Sequence, residues 1–256
     1  MNALDLLPAI PEKRRATGSG SILLLCDHAS NFIPETFGSL GLDRESLDGH
    51  IAWDSGAANV ARHLADLLDC PALLTTASRL LIDCNRDPAD GDSIVELGER
   101  TPVPGNVGLS EIERAARAAA YYAPYHRSID EARVAGAGRI KAMVAIHSFV
   151  PVFCGKHRPW HIGLIHNRDH RMAESLTLQL QADKGLTIGD NEPYGPSDRV
   201  YHTLARHAEA HDLPSLMIEI RNDLIATQAG QLDWAERLAP MLLNTIKSLE
   251  ASEAAW

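Results

Sequence analysis

The 256-residue chain is 45% hydrophobic, which is enough apolar material to bury the core of one large domain. Its formal net charge of -10 argues against nucleic-acid binding, because that function requires a basic surface. The sequence shows neither an apolar signal sequence nor an apolar run of membrane-spanning length, and its 4 cysteines form no C-x-x-C pair, so we expect a reduced, cytoplasmic protein without a membrane partner.

Apolar strand patterns alternate with helical patterns along the chain. Residues 1–20, with prolines and a Gly/Ser run, are predicted to form a flexible arm. Strands are predicted at residues 21–26, 72–75, 79–83, 141–146, 161–165 and 215–220, and helices beginning near residues 54, 110, 170 and 199 and at the C-terminal end. The Gly- and Pro-rich stretch 88–108 is predicted to be a long loop of the kind that forms lids. The alternation predicts an α/β fold, with a doubly wound, mostly parallel sheet covered by helices on both faces, in a single catalytic domain over residues 21–256.

Polar side chains occur where several of the predicted strands end. They are Asp27-His28, Asp83-Cys84-Asn85-Arg86, His147-Ser148 and Glu219. In open α/β sheets, ligands bind in the crevice beyond the carboxyl ends of the strands, so we expect these residues to share one site. Two histidines, an arginine and a glutamate suit a metal-activated water that attacks an amide beside an anionic substrate.

His28 and His147 each follow an apolar run, where a neutral imidazole is a good zinc ligand. Taken singly, each histidine is explained equally well as a metal ligand and as a residue that ends a strand. The metal interpretation is favoured because two such histidines occur on separate strands. A catalytic zinc usually has three protein ligands, and the sequence leaves two candidates for the third. We prefer Asp54, which is also explained as a helix N-cap, over Asn31, whose neutral amide is a weaker ligand. Asp27 either orients a ligating imidazole or is only a charge at a strand end.

Glu219 lies within an apolar strand, where an unpaired carboxylate is costly to bury. Burial raises a carboxyl pKa toward the range useful to a general base, whereas the structural alternative is an ion pair with Arg221 or another arginine. Arg86, with Asn85 beside it, can hold a substrate carboxylate, although an arginine near Asp83 is more often structural. The other histidines fall on predicted helix faces or loops and are expected at the surface.

Several short motifs occur in an order that resembles one known family. They are Cys26-Asp27-His28-Ala29-Ser30-Asn31, Trp53-Asp54-Ser55-Gly56, Ser78-Arg79 with Asp83-Cys84-Asn85-Arg86, Ile146-His147-Ser148, Asn191-Glu192-Pro193-Tyr194-Gly195 and Ile218-Glu219-Ile220. The ordered set covers residues 21–225 and resembles the N-formylglutamate amidohydrolase family. That family is similar in architecture to the zinc carboxypeptidases and aspartoacylases, so the resemblance implies a doubly wound α/β sheet with one catalytic zinc.

The resemblance also implies roles for individual residues. The implied metal ligands are His28 and His147, with Asp54 as the natural third; the implied catalytic glutamate is Glu219; and the residues expected at the substrate are Asn85, Arg86, Arg79 and Tyr194. The expected cofactor is one Zn²⁺ per chain, although other divalent metals are possible, and the expected substrate is a small anionic amino-acid derivative.

The simplest expected reaction is hydrolysis of N-formyl-L-glutamate to formate and glutamate. In the carboxypeptidases a glutamate stands three residues after the first histidine, where this chain has Asn31. Two alternatives therefore stay open: a hydrolase of another small acylated amino acid, and a non-catalytic anion-binding relative that has lost its metal.

Overall fold

The structure is a computed structural model that describes residues 6–14 and 20–253. The strands are β1 (Glu12–Arg14), β2 (Ile22–Cys26), β3 (Ala72–Leu74), β4 (Leu97–Gly98), β5 (Thr101–Pro102), β6 (Ala142–Phe149), β7 (Val152–Phe153), β8 (Lys156–His157), β9 (Ile162–Ile165), β10 (Ile188–Asp190) and β11 (Ser215–Arg221). The α-helices are α1 (Arg44–Asp48), α2 (Ala57–Leu67), α3 (Glu111–Arg117), α4 (Ala123–Ala135), α5 (Arg171–Leu180), α6 (His202–His207) and α7 (Gln228–Glu253).

One 7-stranded mixed sheet organises the described chain, in the order β1-β3-β2-β6-β11-β9-β10. Strands β3, β2, β6 and β11 run parallel to one another, whereas β1 is antiparallel to β3 and β9 is antiparallel to β11. Two small hairpins, β4–β5 and β7–β8, lie outside this sheet. The predicted α/β class with a mostly parallel, mixed sheet is confirmed.

Strand β2 is apolar at every position because helices cover both faces of the sheet. In β2, Ile22 and Leu24 belong to one core cluster with residues of α2, α5 and α7. The alternate residues Leu23 and Leu25 belong to a second cluster with residues of α4 and α6. This two-residue alternation between two cores is what a strand buried on both faces requires, and it confirms the doubly wound arrangement.

The long helix predicted from residue 110 is also present. The Ser110 hydroxyl accepts from the Glu113 backbone N–H at 3.3 Å, and the Glu113 carboxylate accepts from the Ser110 backbone N–H at 2.8 Å. This reciprocal pair is the predicted capping box, and it starts α3. A π-helical turn at Ala118–Tyr122 joins α3 to α4 without a break.

Three predictions about local structure are wrong. Glu12–Arg14 pairs with β3 as an edge strand, so the flexible arm does not extend through these residues; residues 1–5 and 15–19 lie outside the described part. Residues 79–83 form turns rather than a strand, because the Ser78 hydroxyl and carbonyl accept the amides of the residues that follow. Helix α2 begins three residues after Asp54, whose carboxylate is engaged elsewhere.

The region predicted as a long loop at residues 88–108 contains the β4–β5 hairpin and two short 3₁₀ turns. Within the described ranges, no helix is both long and apolar enough to cross a membrane.

Candidate active site

A cavity of about 250 Å³ opens where β2, β6 and β11 end. Its lining contains every residue predicted as a metal ligand, a base or a substrate contact: His28, Asp54, Arg79, Asn85, Arg86, His147, Tyr194 and Glu219. The long loop adds Asp92, Val95, Gly98 and Glu99 to the wall. A cavity of this size is at the lower end of ligand pockets, which span roughly 300–1,000 Å³, so it suits a small molecule.

Backbone hydrogen bonds fix the segments that carry the first histidine and Asp54. The backbone N–H of Asp54 donates to the carbonyl of His28 at 2.9 Å, which joins the two segments directly. The Thr75 hydroxyl accepts from the Ala29 N–H at 3.1 Å and donates to the Asp27 carbonyl at 2.9 Å. The turn after β2 is therefore held by β3 on one side and by Asp54 on the other.

Two imidazoles and one carboxylate converge at the floor of the cavity. Nδ1 of His147 lies 2.9 Å, and Nδ1 of His28 lies 3.4 Å, from Oδ2 of Asp54. One ligand atom from each residue lies within 4.8 Å of the others, and all three residues are buried. Asn31, the alternative third ligand, points elsewhere: its amide donates to the Leu47 carbonyl at 3.0 Å.

A second carboxylate supports each imidazole from its far side. Nε2 of His28 is 2.7 Å from Asp83, and Nε2 of His147 is 2.9 Å from Asp27. The Thr203 hydroxyl donates to the other Asp27 oxygen at 2.8 Å. Metal-ligating histidines commonly have this arrangement, because the outer carboxylate fixes the tautomer and aims the remaining nitrogen at the metal. Asp27 thus supports the histidine of the neighbouring strand. Asp83, which the sequence groups with Asn85 and Arg86 without giving it a role of its own, supports His28.

The ionisation of the cluster follows from these contacts. Burial opposes the charge on Asp54, but Arg79 and the two imidazoles outweigh it and hold the pKa of its carboxyl well below the usual range. Burial likewise opposes protonation of His147, but its hydrogen bonds to Asp27 and Asp54 raise the pKa well above the ordinary value. The pKa of His28 is raised for the same reason, chiefly by Asp83 against the effect of burial.

Glu219 stands beside the cluster on the neighbouring strand. It is the register partner of His147 between β11 and β6, and only 4% of it is exposed. Its Oε2 is buried without a hydrogen-bond partner, and burial raises the pKa of this carboxyl to about 7. The alternative of an ion pair with Arg221 is wrong, because that guanidinium binds Asp223 at 2.8 Å. A buried carboxyl with a pKa near neutrality has the property that a general base needs.

The predicted substrate-binding arginines both line the cavity, but each already contacts the protein. Arg79 lies 3.1 Å from Asp54, and it also bonds the backbone carbonyl of His50. Arg86 donates to the Asp198 carbonyl at 2.9 Å and lies 3.4 Å from Asp92. Their charges face the cavity with part of their hydrogen-bonding capacity in use.

Asn85 and Tyr194 differ in how free their polar groups are. The Asn85 side chain donates to the Val200 carbonyl and accepts from the Thr203 N–H at 2.9 Å, so it mainly holds the segment before α6. The Tyr194 hydroxyl accepts from Arg158 at 2.9 Å, which leaves its own hydrogen available to a ligand. Burial, and then the charge of Glu219, raises the pKa of Tyr194 to about 12, so it is a neutral donor.

The expectation that the other histidines lie at the surface is wrong for three of them. His50 lines the cavity and contacts Glu99 at 3.1 Å. His126 and His207 are buried and hydrogen-bonded to each other at 2.7 Å, between α4 and α6. Helical periodicity placed His126 and His207 on helices but carried no information on which face another helix covers.

The residues of the cluster fit a divalent metal. Two nitrogen donors and one carboxylate oxygen form the mixed set typical of catalytic zinc, with a carboxylate behind each imidazole. Oδ1 of Asp54 is buried without a well-aligned hydrogen bond and faces the Arg79 guanidinium at 3.1 Å, whereas Oδ2 faces the two imidazoles.

Comparison with known proteins identifies the family. The sequence model of the N-formylglutamate amidohydrolase family matches residues 20–226. The chain belongs to this family. The resemblance inferred from the ordered motifs is thus confirmed, and with it membership of a family of amidohydrolases.

Solved structures share the fold of this chain. A gene product of Agrobacterium tumefaciens has 40% sequence identity to this chain and a TM-score of 0.91, covering 95% of this chain and 96% of its own. An N-formylglutamate amidohydrolase from Ralstonia eutropha JMP134 has 21% identity and a TM-score of 0.68, covering 95% and 99% respectively, and shares the fold. No curated protein sequence matches the chain.

Proposed function

We propose that this member of the N-formylglutamate amidohydrolase family is a zinc-dependent enzyme that cleaves the amide of an N-acyl acidic amino acid. The preferred substrate in this proposal is N-formyl-L-glutamate, and the products are formate and glutamate. The observation that carries the proposal is the convergence of His28, His147 and Asp54 beside a buried Glu219 whose carboxyl has a pKa of about 7.

The proposed ligands are His28, Asp54 and His147. A zinc ion bound there would supply Lewis-acid activation of a water molecule and of the amide carbonyl. The carboxylates of Asp27 and Asp83 support this assignment, because each accepts a hydrogen bond from the far side of one of the two histidines. A histidine that only ends a strand does not need such a partner.

Glu219 performs the proton transfers in the proposed reaction. Its carboxylate takes a proton from water as the oxygen bonds to the amide carbon, and it returns that proton to the nitrogen as the carbon–nitrogen bond breaks. Arg86 holds a substrate carboxylate, with Tyr194 as a neutral hydrogen-bond donor in the same cavity. Both groups reduce the freedom of the substrate before reaction, which is the usual contribution of positioning residues.

The deciding experiment combines metal content with product release. Purified protein is analysed for bound metal, stripped with a chelator, reloaded with zinc and assayed at each stage for formate and glutamate released from N-formyl-L-glutamate. About one zinc per chain with reversible loss of release is the expected result. Metal binding without release would reassign the substrate to another small acylated amino acid, and protein that takes up no metal would leave the non-catalytic anion-binding alternative.

The third ligand has a separate test. In this proposal Asp54→Asn loses zinc, whereas Asn31→Ala retains it, because the Asn31 amide is directed at Leu47 and Asp48. A cytoplasmic location is part of the proposal, and the buried free thiols of Cys26, Cys70 and Cys84 support it.

A further inference from the structure

Arg158 is a buried cation that lacks an acidic partner. Only 8% of it is exposed, and it forms no ion pair with any carboxylate of the described ranges. Its one side-chain hydrogen bond in the described chain is donated from Nη1 to the Tyr194 hydroxyl at 2.9 Å. A guanidinium is costly to bury without a counter-charge, so its remaining N–H groups have a use that the rest of the chain does not explain.

Aromatic rings hold this guanidinium in place. Its central carbon lies 4.4 Å from the ring centroid of Phe153 and 4.5 Å from that of Tyr194, with Phe149 at 5.9 Å. Stacking on rings occupies the faces of a guanidinium and leaves the N–H groups at its edge available. An arginine held in this way is ready to bind a carboxylate through two parallel hydrogen bonds.

Arg158 adjoins the active-site cavity. Both rings that it stacks on most closely, those of Phe153 and Tyr194, line the cavity together with Glu219. The charge of Glu219 contributes to the raised pKa of Tyr194, and the charge of Arg158 partly opposes it, so both charges act on the phenol.

The other arginines of the cavity already have acidic partners. Arg79 is paired with Asp54, and Arg86 lies near Asp92 and Asp83. The wall carries these carboxylates as well as those of Glu99 and Glu219, so it is poorly suited to a ligand with two negative charges unless a further cation contributes. Arg158 lies against the Phe153 and Tyr194 rings of this wall and forms no ion pair with a described carboxylate, although its charge helps to lower the pKa of Glu99.

We propose that Arg158 binds a second carboxylate of the substrate and thereby makes the enzyme selective for N-acyl amino acids whose side chain is acidic. The inference rests on the proposed function, with Arg86 at the first carboxylate. It identifies a specificity-determining residue: the charge of the substrate side chain is recognised by a guanidinium held against two rings.

The test compares substrates that differ in one charge. Wild-type, Arg158→Gln and Arg158→Lys proteins are assayed with N-formyl-L-glutamate and with N-formyl-L-glutamine, which has a neutral side chain of nearly the same size. Arg158→Gln is expected to lower kcat/KM for the glutamate derivative by roughly 10- to 100-fold, the usual effect of losing a charged hydrogen bond, and to leave that for the glutamine derivative nearly unchanged. Arg158→Lys retains the charge without the planar fork and should recover part of the selectivity.

Two further variants distinguish binding of the substrate carboxylate by Arg158 from support of the Tyr194 side chain. If Arg158 acted only by holding the Tyr194 hydroxyl, Arg158→Gln and Tyr194→Phe would both lower kcat/KM equally for the two substrates, and that result would overturn the proposal. Arg168→Gln removes the same charge at a side chain that is 75% exposed, and it should change neither substrate's kinetics. Melting temperature and zinc content are measured for every variant.

Failure of the proposed function is distinguishable from failure of this inference. A wild-type protein that hydrolyses neither substrate contradicts the proposed reaction, and calorimetric binding of L-glutamate and L-glutamine then reports on Arg158 directly. Preference for L-glutamate that disappears in Arg158→Gln supports the inference. Equal affinity of the wild-type protein for the two amino acids would contradict the inference.

Discussion

Each histidine of the candidate metal cluster is held at both ring nitrogens. Nδ1 faces Asp54 in both cases, whereas Nε2 faces Asp83 in His28 and Asp27 in His147. When the outer carboxylate accepts a hydrogen bond from Nε2–H, the proton stays on Nε2 and Nδ1 keeps the lone pair that a metal requires. The two outer carboxylates therefore act on metal binding through the rings, without being ligands themselves.

Removing the charge of an outer carboxylate should weaken metal binding and leave the fold intact. Asp27→Asn and Asp83→Asn are each expected to lower zinc affinity by roughly 10- to 100-fold, as is usual for partners of metal-ligating histidines. Competition with a chromophoric chelator measures the affinity. Asn31→Ala serves as the control and should bind zinc like the wild-type protein. Unchanged affinity in both aspartate variants would mean that the rings are oriented by packing alone.

Glu219 should be required for turnover and dispensable for the metal. Glu219→Gln keeps the size of the side chain but cannot take a proton, so kcat should fall by roughly 100- to 10,000-fold, the contribution of a general base. Zinc content should stay near one per chain. A cation at the neighbouring cluster lowers the pKa of this carboxyl from about 7. Wild-type activity should therefore fall on the acidic side of its pH profile, with a midpoint at or below pH 7. A fully active Glu219→Gln enzyme would remove the role of Glu219.

Part of this site could be predicted from the sequence at the level of single residues. His28, His147 and Glu219 are readable because a polar residue in or after an apolar strand is costly unless it has a function. The roles of Asp83 and Arg158 could not be predicted in the same way. Their importance comes from contacts with residues far away in the chain, and the turn that carries Asp83 had been predicted as a strand.

At the scale of elements, the central strands were predictable and the segments between them were less so. A strand buried on both faces needs a continuous apolar run, which is visible in β2 and, with Glu219 as the exception, between Leu216 and Ile220 of β11. The edge strand β1 was not predictable, because Glu12–Arg14 is charged and pairs with β3, about sixty residues later. Helix α2 was predicted, but its start depends on Gly56, which lies in the left-handed conformation with φ at 85°.

Gly56 should tolerate no side chain, because it has two independent constraints. A Cβ at this position would lie 2.4 Å from the Ile225 carbonyl oxygen, and the positive φ is itself unfavourable for other residues. Gly56→Ala is expected to lower the free energy of unfolding by at least about 2 kcal/mol and to weaken zinc binding through Asp54. Gly108→Ala is the matched control: φ there is also positive, but nothing lies within 4 Å, so only about 1 kcal/mol should be lost in urea unfolding. Equal losses in the two variants would exclude a role for the close contact.

The buried pair of His126 and His207 should make the packing of α4 against α6 sensitive to acid. Burial, and then the neighbouring His207, lowers the pKa of His126 from 6.5 to about 3 in the folded protein. Between these two values the unfolded chain binds a proton that the folded protein excludes, so stability falls as the pH falls below 6.5. At pH 5 the loss from this residue is roughly 2 kcal/mol.

Urea unfolding at pH 7 and pH 5 measures this effect. The decrease in stability between the two values should be smaller by roughly 2 kcal/mol in His126→Gln than in the wild-type protein. His170→Gln, at a side chain that is 57% exposed, should keep the wild-type decrease. An identical pH dependence in all three proteins would show that His126 takes up its proton without unfolding.

For the molecule as a whole, the metal cluster joins segments that are far apart in sequence. His28 follows β2, Asp54 precedes α2 and His147 belongs to β6, so an ion bound by all three adds a link across the centre of the sheet. Ligand binding to the folded state alone stabilises it by about 2.7 kcal/mol when free metal is at 100 times its Kd. For a domain of this length, that corresponds to a rise of roughly 5–10 °C in melting temperature.

The stabilisation by metal should itself depend on pH. Although burial opposes their protonation, the neighbouring carboxylates raise the pKa values of His28 and His147 above 6.5, so the metal-free protein holds protons that a metal must displace. The same proton-bound pairs stabilise the metal-free fold below pH 6.5 and lose this contribution as the pH rises through the raised pKa values. Both effects reduce the difference in melting temperature between zinc-loaded and chelator-treated protein as the pH falls. Melting curves from pH 8 to pH 6 should show this difference shrinking, and a constant difference over that range would mean that zinc binding displaces no protons from these histidines.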